Sequence, residues 1–156
     1  MAMALGREQI YATIVAQLTQ VLLFPAGPFQ YIGRRPVPIG TLALEQYPAL
    51  ILMESAEEYM RHTLFAPAKV ILTMVALIQA LDGVVANEES VAVLNNLADA
   101  VEDALQSYCG PTAQNVLGGL SQRAWIEGRQ NVIPASYPQK FSEQYISIKI
   151  VLPHSR

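Results

Sequence analysis

The chain has 156 residues, of which 52% are apolar and 15% charged, and a formal net charge of −3. This length fits one domain over 1–156, and the sparse charge points to apolar surface covered by other subunits as well as to a core. One cysteine, Cys109, rules out an internal disulfide framework. The acidic balance argues against a nucleic-acid binder, and the uncharged run Val70 to Ile78 is too short for the roughly 20 residues that span a bilayer.

MAMALGREQ offers neither a charged leader nor a long hydrophobic segment, so secretion is not expected. Arg7 to Leu23 reads as a helix whose stripe is Ile10, Ile14, Leu18, Val21 and Leu22, closed by Pro25 and Gly27. Phe29 to Arg35 reads as a short strand ending in the pair Arg34-Arg35, and Pro36, Pro38 and Gly40 make a loop. Ala49 to Glu54 is a compact apolar run after Pro48, the pattern of an internal strand. Ser55 to Pro67, with Glu57, Glu58, Tyr59 and Arg61, suits a long exposed connection or a hairpin extension. Lys69 to Ala80 is apolar on both faces, so periodicity alone does not separate a central strand from a buried helix. Its β-branched Val, Ile and Thr residues favour the strand.

Asn87 to Gln106 is the stretch around which the rest is organised. Val91, Leu94, Leu97, Ala98, Val101 and Leu105 form one stripe of a 3.6-period helix. Asn87 can cap it, Glu88 and Glu89 suit the positive end of its dipole, and Gly110-Pro111 end it. Its other face carries Asp99, Glu102 and Asp103 with no basic partner. Thr112 to Gly119 is loop-like. Arg123 to Ile133 reads as a strand with Gly128 as a candidate bulge, and Ala135 to Lys140 as a turn region. In Glu143 to Leu152, Ile146, Ile148, Ile150 and Leu152 point one way and Ser147 and Lys149 the other, a half-buried antiparallel strand stopped by Pro153. The order α–β–β–β–α–β–β predicts an α+β fold: a mostly antiparallel sheet of about four to five strands with two helices packed on one face.

Charge is unevenly spread. Residues 70–122 hold six carboxylates and no Lys or Arg, whereas residues 123–156 hold five Lys or Arg against Glu127 and Glu143. Two readings follow: a solvated acidic helix beside a mildly basic sheet, or complementarity between neighbouring copies that sets a head-to-tail contact.

The residues form no catalytic constellation. Cys109 has no histidine near it in sequence, and His62 and His154 stand apart from any metal-ligand spacing. Asp99, Glu102 and Asp103, at i, i+3 and i+4, read as a solvated face. A divalent ion there would be weak or would bridge subunits, since hard cations want about six oxygens. Gly118-Gly119 lacks the GKS or GKT of a phosphate loop, and Ser121, Ser136 and Ser142 lie in no nucleophile elbow. No catalytic residue, cofactor or metal is therefore expected.

The succession REQIYATIVAQLTQVL, a strand ending GRR, YPALILMES, KVILTMVALIQAL, SVAVLNNLADAVEDALQ, RAWIEGRQNVI and QYISIKIVLP resembles the tail terminator (tail-completion, tail-to-head joining) proteins of long-tailed bacteriophages. The resemblance covers nearly the whole chain and lies in element order and hydrophobic pattern. It implies a non-enzymatic virion protein, assembled in the host cytoplasm. Such a protein forms a hexameric ring on the head-proximal end of the tail tube, stops tube growth and meets a head-completion or neck protein. It binds no membrane and reads no nucleic-acid sequence. Arg34, Arg35, Glu57, Glu58, Tyr59 and Arg61 are then the candidates for axial or lateral contacts. Asp99, Glu102, Asp103, Arg123, Glu127 and Arg129 are candidates for subunit or partner contacts as well, the acidic stretch 82–103 and the basic stretch 123–149 being compatible with heterologous pairing around a closed ring. The rivals are another phage neck component and a small cytoplasmic ligand-binding domain, the latter needing a concave pocket with convergent polar groups.

Overall fold

The computed structural model describes residues 6–35, 42–60, 69–81, 88–106, 123–132 and 141–152. Its elements run α1 (Arg7–Leu22), β1 (Tyr31–Gly33), a 3-10 turn (Leu44–Gln46), β2 (Ala49–Met60), β3 (Lys69–Leu81), α2 (Glu88–Gln106), β4 (Arg123–Val132) and β5 (Phe141–Val151). The strands form one sheet in the order β1-β2-β3-β5-β4. β1 pairs with β2 in parallel and every other pairing is antiparallel. The fold is α+β, with both helices on one face of a five-stranded sheet, as the element order predicted.

The core forms where the helix stripes meet that face. Ile10, Ile14 and Leu18 of α1 and Leu94, Leu97, Ala98, Val101 and Leu105 of α2 pack on Leu50, Leu52, Leu72, Met74, Ala76, Ile78, Ile146, Ile148 and Ile150. β3, the ambiguous run, is the central strand, and it is apolar on both sides because it is buried on both. On the face away from the helices Ile51 and Leu77 are also buried. The expected alternation in β5 holds, with Ile146, Ile148 and Ile150 fully buried.

Four details differ from the pattern reading. Val21, placed in the α1 stripe, is exposed, and Tyr11 is buried instead. Burial among apolar groups, with Glu54 and Glu57 nearby, pushes the Tyr11 phenol up to about 12. β1 covers only Tyr31–Gly33 of the expected Phe29 to Arg35, preceded by a bridge between Leu23 and Phe29. The chain reaches that bridge through a tight turn in which the N–H groups of Ala26 and Gly27 donate to the Leu23 carbonyl at 3.0 and 3.2 Å. Gly27 lies so close to the Leu22 backbone that a Cβ there would collide with it. Finally, β2 does not stop at Glu54 but continues to Met60, so the segment from Ser55 is a hairpin extension up to that residue.

Two bulges set which way the outer strands point. In β2, Glu54 faces Met74 but Ala56 faces Thr73, so Ser55 is an extra residue. In β4, Ile126 faces Ile148 but Gly128 faces Ser147, so Glu127 is extra, beside the glycine expected to mark a bulge. Side chains alternate with period 2, so each extra residue swaps the faces of everything beyond it. Before the β2 bulge the even-numbered Leu50, Leu52 and Glu54 lie on the helix side. After it, Glu57 and Tyr59 do, and beyond the β4 bulge Arg129 does, in line with Ile146.

Candidate subunit interface

Charged side chains of the described residues form three clusters, each aimed by this geometry. The first lies where the start of α1 crosses β2. The parallel register ends with Gly33 beside Ile51, which leaves Arg34 level with the strand that carries Glu54. Its guanidinium donates to Glu8 Oε1 and Oε2 at 2.5 and 3.0 Å and to Glu54 Oε1 at 2.6 Å. Beyond the β2 bulge, Glu57 pairs with Arg7, which also donates to the Tyr59 hydroxyl at 3.2 Å. The Tyr59 hydroxyl in turn donates to Glu57 at 3.1 Å. Hydrogen bonding to Glu57 raises the Arg7 pKa and hydrogen bonding to Glu8 raises that of Arg34, while Arg34 holds the Glu8 carboxyl below its usual range. Glu8 also sits in the first turn of α1, where negative charge is favoured.

The second cluster joins α2 to β4. Arg129 donates from Nε to Glu102 and from Nη2 to Asp99, each at 2.5 Å. The two carboxylates hold its pKa above the ordinary arginine value. This corrects the expectation that the acidic face of α2 has no basic partner: the partner is in the same chain, and Arg129 is engaged without a neighbouring copy. Neither simple charge reading holds for this trio, since acidic helix and basic strand meet within one subunit. Asp103 is exposed on the same helix. Glu127, the bulge residue, accepts a hydrogen bond from Trp125 Nε1 at 2.9 Å.

The third cluster is on the face away from the helices. Lys149 faces Thr73 across the β3–β5 pair and donates to its hydroxyl at 2.8 Å, with Glu58 at 3.5 Å. Farther along that face, Glu143 and Gln79 lie opposite each other, both buried, and Gln79 Nε2 approaches Glu143 Oε1 at 3.5 Å. Burial pushes the Glu143 carboxyl upward, against hydrogen bonds from Gln79 and Tyr145 that pull it down.

A raised folded pKa means that the folded state holds its proton more tightly than the unfolded chain. The associated stability is present below the ordinary value of 4.5 and is lost as pH rises through the folded pKa. Glu143→Gln should therefore gain on the wild type as pH rises from about 4 to about 7, read as a widening gap in thermal midpoint. A gap constant over that range would show that Glu143 carries no such linkage.

Of the residues singled out from sequence, Arg34, Glu57 and Tyr59 meet α1, Glu58 meets Lys149, and Asp99 and Glu102 meet Arg129. Arg35 is exposed beside Arg34. Arg123 begins β4, opposite Val151. Arg61, Cys109, His62, His154 and the Gly118-Gly119 bend lie outside the described residues. Sequence reasoning passed over Arg7, Glu8, Glu54, Thr73, Lys149 and the buried Glu143. Arg7-Glu8 opening a helix and a lone cation on the polar side of a strand were the available signals. Nothing in the sequence marked Glu143.

On the exposed side, residues 54–60 of β2 form an unbroken exposed run, although they are paired with β3 on both sides of the Ser55 bulge. Tyr59 and Met60, 64% and 47% exposed, are large apolar groups at its end. Among the described residues, no group of three or more His, Cys, Asp or Glu is placed to hold a metal ion, and no helix is long and apolar enough to cross a membrane. A scan of protein-family models and a search of curated proteins return no match to this chain.

Proposed function

We propose that this protein is a tail terminator of a long-tailed bacteriophage. It acts as a non-enzymatic ring of six copies that caps the head-proximal end of the tail tube, stops tube growth and presents a surface to the neck. The observation that carries the reading is the element order α–β–β–β–α–β–β folded as two helices on one face of a five-stranded sheet, together with the succession of hydrophobic patterns described above. Two further features support it. Ion pairs among the described residues tie the start of α1 to β2 and to Arg34 at the end of β1, and α2 to β4. Such pairing suits a rigid building block. The low share of charged residues, 15%, suits a subunit that covers surface against copies of itself.

In this role the work is done by interfaces. One ring face meets the last ring of the tube protein, the other meets a head-completion protein, and lateral contacts close the ring. The protein belongs to the virion and binds no cofactor.

Electron microscopy of the purified protein tests the architecture, and a tube-growth assay tests the role. A six-fold annulus, and tube protein that stops elongating when the annulus is added, are the expected results. A solitary molecule at all concentrations would overturn the reading. An annulus that binds tail-less heads but leaves tubes growing would assign the chain to another neck component.

A further inference from the structure

The sheet has two unlike edges. β1 covers β2 only from Ala49 to Ile51, so from Leu52 to Met60 the outer side of β2 has no strand beside it among the described residues. The exposed run of residues 54–60 lies in this stretch. At the opposite end of the sheet, β4 pairs only with β5 among the described residues, and residues 127–130 are exposed. The lengths correspond: the open part of β2 is nine residues, 52–60, and β4 is ten. The directions correspond as well. β2, β3, β5 and β4 alternate, so a second copy in the same orientation brings its β4 antiparallel to β2 and continues the alternation. Residues 52–60 contain Glu54, Glu57 and Glu58, and β4 contains Arg123, Glu127 and Arg129. Glu54, Glu57 and Glu58 already pair with Arg34, Arg7 and Lys149, and Arg129 with Asp99 and Glu102, so it is length and direction that match the two edges.

From this we infer that the open edge of β2, Leu52 to Met60, receives the β4 edge of a second copy of this chain as an antiparallel strand. The inference rests on the ring reading and names its lateral contact. Because the two edges are different surfaces, the contact is heterologous and repeats around a closed ring. Exposed edges invite indiscriminate strand addition, and proteins block it with charges and bulges. Both edges here carry a bulge and charged side chains, which restricts each to a partner of matching register.

Cysteine crosslinking tests the contact. Ala56 and Gly128 both lie on the sheet face away from the helices, and a Cβ at Gly128 meets nothing within 4 Å. In a Cys109→Ser background, Ala56→Cys combined with Gly128→Cys should give a covalent ladder extending beyond dimer with a short bismaleimide. Circular dichroism checks that the variants fold. Asn95→Cys with Gly128→Cys, which places one thiol on the exposed side of α2, should give no ladder. A double variant with the wild-type mass by light scattering and no ladder would overturn the edge contact and leave the ring reading intact. A ladder from the Asn95 control, or dimers from Ala56→Cys alone, would overturn it too. A wild-type protein that is monomeric at all concentrations would remove both readings.

Discussion

Phe29→Ala is expected to lower the unfolding free energy by about 3–5 kcal/mol, the usual cost of emptying an aromatic site in a packed core. Phe29 is fully buried, and its backbone ties the end of α1 to the start of the sheet. Its N–H donates to the Leu22 carbonyl at 3.0 Å, and its carbonyl accepts from the Phe24 N–H at 2.8 Å. Truncation leaves those backbone bonds in place but opens a void under α1 that the turn around Gly27 has little room to fill. A domain of this size has about 5–15 kcal/mol in all, so the loss should be plain in urea denaturation as a lower midpoint with an unchanged slope. Phe24→Ala is the control. Phe24 is 62% exposed, and its truncation should stay within about 0.5 kcal/mol. Equal effects at the two positions would show that the packing under α1 has been misjudged.

The second large effect belongs to α2. Leu105→Ala should cost about 2–5 kcal/mol, because Leu105 is essentially buried in the cluster formed with Val101, Ala98 and the sheet. Val93→Ala, on the exposed side of the same helix, should cost little beyond a change in helix propensity, which favours alanine. The pair separates packing from propensity: one loses core contacts, the other exchanges a β-branched residue for a better helix former. If Leu105→Ala were as mild as Val93→Ala, α2 would be dispensable to the fold rather than its organising element.

Much of the architecture was legible before any coordinates. The α2 stripe, the alternation in β5 and the glycine beside the β4 bulge all follow from side-chain periodicity, which is local. β3 was legible through its β-branched residues, which tipped a pattern that fits helix and strand equally. Misplacements arose where a local pattern meets a neighbour distant in sequence. Val21 and Tyr11 are both compatible with an α1 stripe, and only the position of the helix over β2 decides which is covered. The charge contacts were the least legible. Arg129 reaches Asp99 and Glu102 only because β4 lies at the sheet edge beneath α2 and an extra residue turns its later half over. Glu143 looked like an ordinary polar residue at the start of a strand. Its burial depends on the neighbouring strand bringing Gln79 opposite it.

The odd residue in β2 and in β4 marks two places where the chain can lose one residue without losing its register. Removing Glu127 would close the β4 ladder into a regular one, with Ile126 still opposite Ile148 and Arg129 still opposite Ile146, on the side of α2. Removing Ser55 would likewise keep Leu50 and Leu52 in place and leave Glu57 opposite Leu72 and Tyr59 opposite Val70, on the side that meets Arg7. Single-residue deletions there would straighten each strand while sparing both its apolar and its ionic contacts, so the extra residues contribute local twist and not the adhesion of the helices to the sheet.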